Sequence, residues 1–273
     1  MPIGPTTVKT PDGIPIAVQE WGNPKGREIL FIHGFNQSYL SWSRQFSDPA
    51  LLNEFRMVTF DLRGHGASCK PLNKEAYIAD KLWADDVAAV MDATDLKRPV
   101  VAGWSYGGRI IGDYLRSYGG RRLAGINYVG ARTTNNNAMF GPGRVHFAKM
   151  ASDDLAANIE GTRGFLRACF AKQPGPDDFE IMLAFNMVVP AEIRRFILER
   201  GTDDGSILKT ITCPVLVTHG RDDQVLLASM GEFARSEIKH AKLSLYDGVG
   251  HSTFWEDAPR FNRELAELVR ATG

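Results

Sequence analysis

Apolar positions along the chain fall into two alternating patterns. The first is a short apolar run that stops at glycine or at a polar cluster: EILFIHG, FRMVTFDLRG, RPVVAGW, LAGINYVGA, CPVLVTHG and AKLSLYDG. A short apolar run ending in glycine is the mark of a buried strand. The second is apolar spacing of three and four. It covers Ile78, Leu82, Trp83, Val87, Val90 and Met91, and again Phe261, Leu265, Leu268 and Val269 behind Pro259, a residue suited to the first turn of a helix. Buried strands alternating with amphipathic helices predict a mainly parallel sheet with helices on both faces. Near the N-terminus, TTVKT and IPIAVQEW flank Pro11-Asp12-Gly13. An Asp-Gly turn between two such runs predicts a hairpin, which adds an antiparallel edge.

One region breaks the alternation. Between Arg132 and Thr210 no stretch reads as a strand. Helices are predicted over Ser152 to Ala171, Pro176 to Met187 and Pro190 to Arg200, with Ser152 placed as the N-cap of the first. RTTNNNAMFGPG reads as a loop leading into them. The expectation is a helical cap, residues 132–210, inserted between the two parts of a core domain, 1–131 and 211–273.

In an open parallel sheet, ligands bind beyond the carboxyl ends of the strands. Polar clusters follow four of the predicted strands: His33 to Asn36, Gly103 to Gly107, His219 to Asp223, and Gly248 to His251. The second lies in VVAGWSYGGRI, where Gly103, Gly107 and Gly108 crowd around Ser105. Glycine weakens strands and helices by roughly 0.5–1 kcal/mol relative to alanine. Its use on both sides of one hydroxyl therefore points to a turn where the backbone passes close to its surroundings. G-x-S-x-G marks such a strand-to-helix turn, which lifts a serine Oγ to a helix N-terminus. A serine needs a base and an orienting acid to become nucleophilic. His251 is the candidate base, and Asp223, with Asp222 as its competitor, the candidate acid.

Taken together, LFIHGFNQS, FDLRGHGAS, GWSYGG, CPVLVTHGRDDQV and DGVGHSTFWEDAPRFN resemble the α/β-hydrolase family, over nearly the whole chain. The resemblance implies an α/β-hydrolase fold with Ser105 as nucleophile, Asp223 as acid and His251 as base. It also implies an oxyanion hole made by the backbone N–H groups of Phe35 and Tyr106. Family spacing after His219-Gly220 favours Asp223 over Asp222. The reaction so implied is hydrolysis of a carboxylic ester or lactone through an acyl-enzyme, without cofactor. Three alternatives stand beside it. A carbon–carbon hydrolase of the meta-cleavage type is disfavoured by Ser252 after the histidine and by the residue before the elbow. A perhydrolase of the cofactor-free haloperoxidase type is disfavoured by Phe35, where those enzymes carry Trp. The third is a small-molecule receptor built on the same fold.

Trp104, Asn36, Phe140, Phe165 and Phe185 are the candidate substrate contacts, with Phe147, Phe170, Met182, Met187 and Trp255 as further apolar wall. His33, His65 and His219 read as structural, and Asp61 with Arg63 as an ion pair that pins its loop. The charge balance narrows the partners. Lys+Arg and Asp+Glu both number 32, which argues against nucleic acid. No apolar run approaches the roughly 18 residues of a membrane span, and the N-terminus has no signal-peptide pattern. Cys69, Cys169 and Cys213 lack metal-site spacing and suit reduced thiols in the cytoplasm. The expected partner is an apolar small-molecule ester or lactone, with no metal.

Overall fold

The computed structural model describes residues 3–201, 203 and 205–272. Met1, Pro2 and Gly273 of the expected core halves, and Thr202 and Asp204 of the expected cap, lie outside them. All eight predicted strands form: β1 (Ile3–Lys9), β2 (Pro15–Gly22), β3 (Arg27–Ile32), β4 (Phe55–Phe60), β5 (Val100–Trp104), β6 (Gly125–Val129), β7 (Val215–Gly220) and β8 (Lys242–Tyr246). They make one sheet in the order β1-β2-β4-β3-β5-β6-β7-β8. The β1–β2 and β2–β4 pairs are antiparallel and all others parallel. The hairpin turns where expected, with Gly13 at φ +86°, a value that costs glycine nothing.

Helices of eight residues or more are α1 (Asp80–Ala93), α2 (Tyr106–Tyr118), α3 (Leu155–Ala168), α4 (Pro176–Met187), α5 (Ala191–Leu198), α6 (Ala228–Glu237) and α7 (Ala258–Ala271). Alternate residues of β3 serve the two faces of the sheet. Leu30 and Ile32 join a cluster with Val87 of α1, Ile110 of α2 and Met230 of α6. Ile29 and Phe31 join another with Phe261, Leu265 and Val269 of α7. Near-continuous apolar strands are the consequence of covering both faces.

Between β6 and β7 the described residues contain helices and turns and no strand. Phe165, Phe185 and Ile193 of these inserted helices share the cluster on the α1–α2 face. The first inserted helix is shorter than its apolar pattern predicts. Asp154, and not Ser152, caps it by accepting from Ala157 N–H at 2.7 Å. Ser152 Oγ instead accepts from Asp154 N–H one step earlier. Ile78 is 37% exposed, in a separate short segment, Glu75–Ile78, ahead of α1. No helix among the described residues is long and apolar enough to cross a membrane.

The expected Asp61–Arg63 pair does not form. Arg63, fully buried, pairs with Asp86 at 2.6 Å and Asp12 at 3.0 Å. Asp61 accepts from the backbone N–H groups of Tyr39 and Ala67. Asp61 and Arg63, two residues apart in the loop after β4, thus each take different partners.

Candidate active site

Ser105 joins β5 to α2 at φ +54°, ψ −114°. Positive φ is uncommon for a side-chain-bearing residue and costs of order 1–3 kcal/mol. The three neighbouring glycines are not needed for φ, since none has a positive value. They are needed for space. A Cβ on Gly103 would lie 2.6 Å from Ile111 Cδ1, one on Gly107 2.5 Å from the Ile32 carbonyl oxygen, and one on Gly108 2.6 Å from Ala131 Cβ. The turn itself is held by Ser105 N–H donating to Val129 O and Arg132 N–H donating to Ser105 O.

The loop after β3 lies against this turn: a Cβ on Gly34 would come within 3.1 Å of Ser105 Cβ. Two buried histidines brace that loop. His33 Nδ1–H donates to Gly34 O while its Nε2 accepts from Leu62 N–H. His65 Nδ1–H donates to Arg63 O and its Nε2 accepts from Asn36 N–H. Each ring is therefore held neutral as one tautomer. Burial pushes the His33 pKa down to about 4, and burial with the nearby His33 takes His65 well below its ordinary value. An unfolded histidine protonates near 6.5. As the pH falls from about 6.5 to 4, the unfolded chain gains a proton at His33 that the folded chain does not, so stability is lost across that window. The expected loss from His33 is about 3 kcal/mol. Urea midpoints at pH 7, 5.5 and 4.5 should fall in that order, and more shallowly for His33→Gln. Equal midpoints would mean that the ring takes up its proton in place.

At the same carboxyl end of the sheet, Asp223 and His251 meet after β7 and β8. His251 Nδ1–H donates to Asp223 Oδ2 at 2.7 Å. Asp223 Oδ1 accepts from the N–H groups of Val225 and Leu226 at 2.8 and 2.9 Å. Burial alone would raise the Asp223 pKa. Electrostatic attraction to the His251 ring, with the hydrogen bonds from His219 and His251, outweighs it and holds the carboxyl far below the usual range. His219, read as structural, contacts the same oxygen at 3.1 Å while donating to Leu226 O. Asp222 points to solvent.

Trp104 Nε1–H donates to His251 O at 3.0 Å, and Gly130 leaves room for the ring, since a Cβ there would lie 3.2 Å from His251 Nδ1. His251 Nε2 is buried and makes no hydrogen bond, and the Ser105 side chain makes none as a helix cap. The N–H of Phe35 likewise has no acceptor among the described residues, and that of Tyr106 opens α2, where helix geometry leaves it free.

The model of the Alpha/beta hydrolase family matches residues 29–264. The chain belongs to the alpha/beta hydrolase family. It resembles the crystal structure of a "putative aryl esterase" from Burkholderia cenocepacia at 36% identity and TM-score 0.94, over 98% of this chain and 99% of that one. The esterase RhEst1 from a Rhodococcus species matches at 29% identity and TM-score 0.90, over 99% and 100%. A bifunctional esterase/perhydrolase, DCH, from Acinetobacter calcoaceticus is 29% identical over 97% of this chain and 99% of its own. The protein is thus an enzyme of a hydrolase family.

Two cavities of this hydrolase flank the Ser105 turn. A small one of about 30 Å³ is lined by Ser105, Phe35, Tyr106, Arg132, Phe140 and Phe165. A larger one of about 270 Å³ is lined by Trp104, Gln37, Met182, Phe185, Ser252 and Trp255, among others. Phe147 joins the first wall, Phe170 the second. Asn36 borders neither: it is fully buried at φ +62°, with both side-chain polar atoms unpartnered. Met187 also lies outside both walls.

Gln37, Ser252 and Arg132 were not among the expected substrate contacts. Gln37 Nε2 and Ser252 Oγ are buried donors without partners. Their place beside Asn36 and His251 in the sequence was the available signal. Arg200, the last residue of the expected third cap helix, follows α5 and donates to Tyr106 Oη at 2.6 Å, Asp80 at 2.6 Å and Asp113 at 2.7 Å. It ties the inserted helices to the residue after Ser105, and no local pattern announced it.

Proposed function

We propose that this hydrolase cleaves carboxylic esters, lactones included, through a Ser105 acyl-enzyme. Ser105 Oγ attacks the carbonyl carbon as His251 Nε2 takes its proton. The oxygen that becomes negative is held by the N–H groups of Phe35 and Tyr106, each such donor being typically worth about 2.7–4 kcal/mol in the transition state. The intermediate collapses, and the alcohol leaves with the proton from His251. Water, deprotonated by the same ring, then releases the acid. Asp223 fixes the ring so that Nδ1 carries hydrogen and Nε2 does not. The observation that carries the reading is the His251 ring itself: Nδ1 tied to a buried carboxylate, Nε2 buried and free.

In this reading the helices within 132–210 act as a cap, since they supply Phe165 to the small cavity and Met182 and Phe185 to the large one. Perhydrolysis is the second reading. The DCH relative is named for both activities, and hydrogen peroxide in place of water on the same acyl-enzyme yields a peracid. A panel of short and long acyl esters, lactones and a vinylogous diketone tests the proposal, with hydrogen peroxide as a second acceptor. Esters or lactones are expected to turn over at roughly 1 s⁻¹ or faster, with an acyl adduct on Ser105 in the mass spectrum. Cleavage of the diketone alone would replace the ester reading with carbon–carbon hydrolysis.

A further inference from the structure

The small cavity beside Ser105 has apolar walls and one cation, Arg132. Arg132 is placed by the elbow, since its N–H donates to Ser105 O at 2.8 Å. Its guanidinium is one of four in this part of the molecule. Three have carboxylates: Arg200 pairs with Asp80 and Asp113, Arg116 with Asp113 and Asp203, and Arg109 with Asp80. Arg132 has none within 4.0 Å among the described residues. Nε, at 3.0 Å, and Nη2 both donate to Asn135 Oδ1, a neutral amide. The guanidinium also lies 5.6 Å from the Phe140 ring centroid. Burial, and then the nearby Arg109, lower its pKa to about 10. Among the described residues the three aspartates already pair with the other three guanidiniums, and Arg132, part-exposed and without such a partner, lines the cavity.

We propose that Arg132 binds a carboxylate of the substrate, and that the preferred esters are half-esters of short dicarboxylic acids with an apolar alcohol part. This rests on the ester reading above. A cation set against apolar walls loses hydration that one amide oxygen restores only in part. A carboxylate replaces it with charge-assisted hydrogen bonds, which a planar guanidinium can give in pairs. Size sets the acid. A volume of about 30 Å³ leaves no room for a long acyl chain, so the carboxylate must lie within a few atoms of the scissile carbonyl. The 270 Å³ cavity on the Trp104 side, apolar but for Gln37, Ser252 and a few other polar groups, takes the alcohol part. A brace for the Asn135 loop explains the two bonds to Oδ1, but not why the cation that makes them should lack a carboxylate and line the Ser105 cavity.

The test compares phenyl hydrogen succinate with its neutral isostere, phenyl methyl succinate, in wild type, Arg132→Gln and Arg132→Lys, with malonate and glutarate half-esters to locate the second carboxylate. Wild type is expected to favour the anionic ester at least 10-fold in kcat/KM. Arg132→Gln should bring that ratio to about one, mostly through KM, and Arg132→Lys should restore part of it. A wild-type ratio near one, or a ratio that Arg132→Gln leaves in place, overturns the proposal. Succinate binding by calorimetry separates this failure from failure of the ester reading. If no ester is cleaved but succinate binds wild type and not Arg132→Gln, the carboxylate site stands without the ester chemistry. If succinate binds both proteins equally, or neither, the site falls.

Discussion

Replacing Ser105 by alanine is expected to lower kcat/KM on the best ester of the panel about 10⁵- to 10⁶-fold, the scale on which serine hydrolases lose activity without their nucleophile. The residual rate should still exceed that in water, because the Phe35 and Tyr106 N–H groups and the two cavities remain. The loss is chemical and not structural. The Ser105 hydroxyl caps no helix, and alanine keeps the Cβ around which the turn is built, so the strained φ of +54° is neither relieved nor worsened. Circular dichroism and the thermal midpoint should therefore match those of the wild type. A fluorophosphonate probe should label wild type and leave Ser105→Ala unlabelled. Labelling that survives the substitution would take the nucleophile away from the elbow and the mechanism with it.

Asp223→Asn is expected to lower kcat about 10⁴-fold, while Asp222→Asn changes it less than about twofold. The asymmetry follows from the hydrogen bonds around one carboxylate. Oδ1 faces two backbone donors, Val225 N–H and Leu226 N–H. An asparagine must keep its carbonyl oxygen there, since an NH₂ in that place would meet two N–H groups head-on. Its NH₂ is thereby turned toward His251 Nδ1, which must now accept instead of donate. The ring adopts the other tautomer, Nε2 carries hydrogen, and it cannot take the serine proton. The same NH₂ meets His219 Nε2, 3.1 Å from Oδ2 in the wild type, so some stability should be lost too. Asp222 is exposed, and its amide would meet only water. Steady-state kinetics of the two variants decides the matter, and the reverse ranking would give the acid role to Asp222.

The strands, their order along the chain and the elbow were legible because each rests on local chemistry. A run such as VVAGW reads as a buried strand wherever it is placed, and glycines at 103, 107 and 108 announce a crowded turn without saying what crowds it. Helix ends were less legible. Ser152 and Asp154 are both good caps, and only the packed helix selects Asp154. Pairings between distant residues outside the family motifs were not legible. Arg63 could be read only against its neighbour Asp61, whereas its partners are Asp86 and Asp12.

By itself, then, the sequence determined the alternation of strand and helix, the antiparallel edge, the inserted helical stretch, and four polar clusters at the strand ends. All follow from periodicity and turn chemistry, which act over a few residues. Family spacing favoured Asp223 over Asp222, and the tertiary structure turned Asp223 to the imidazole and Asp222 to solvent. Tertiary structure alone divided the apolar wall into a small cavity and a large one, joined Arg200 to Tyr106, and left Arg132 without a carboxylate beside Ser105. These depend on which residues from separate segments come to share the same few ångströms, and no spacing along the chain encodes that.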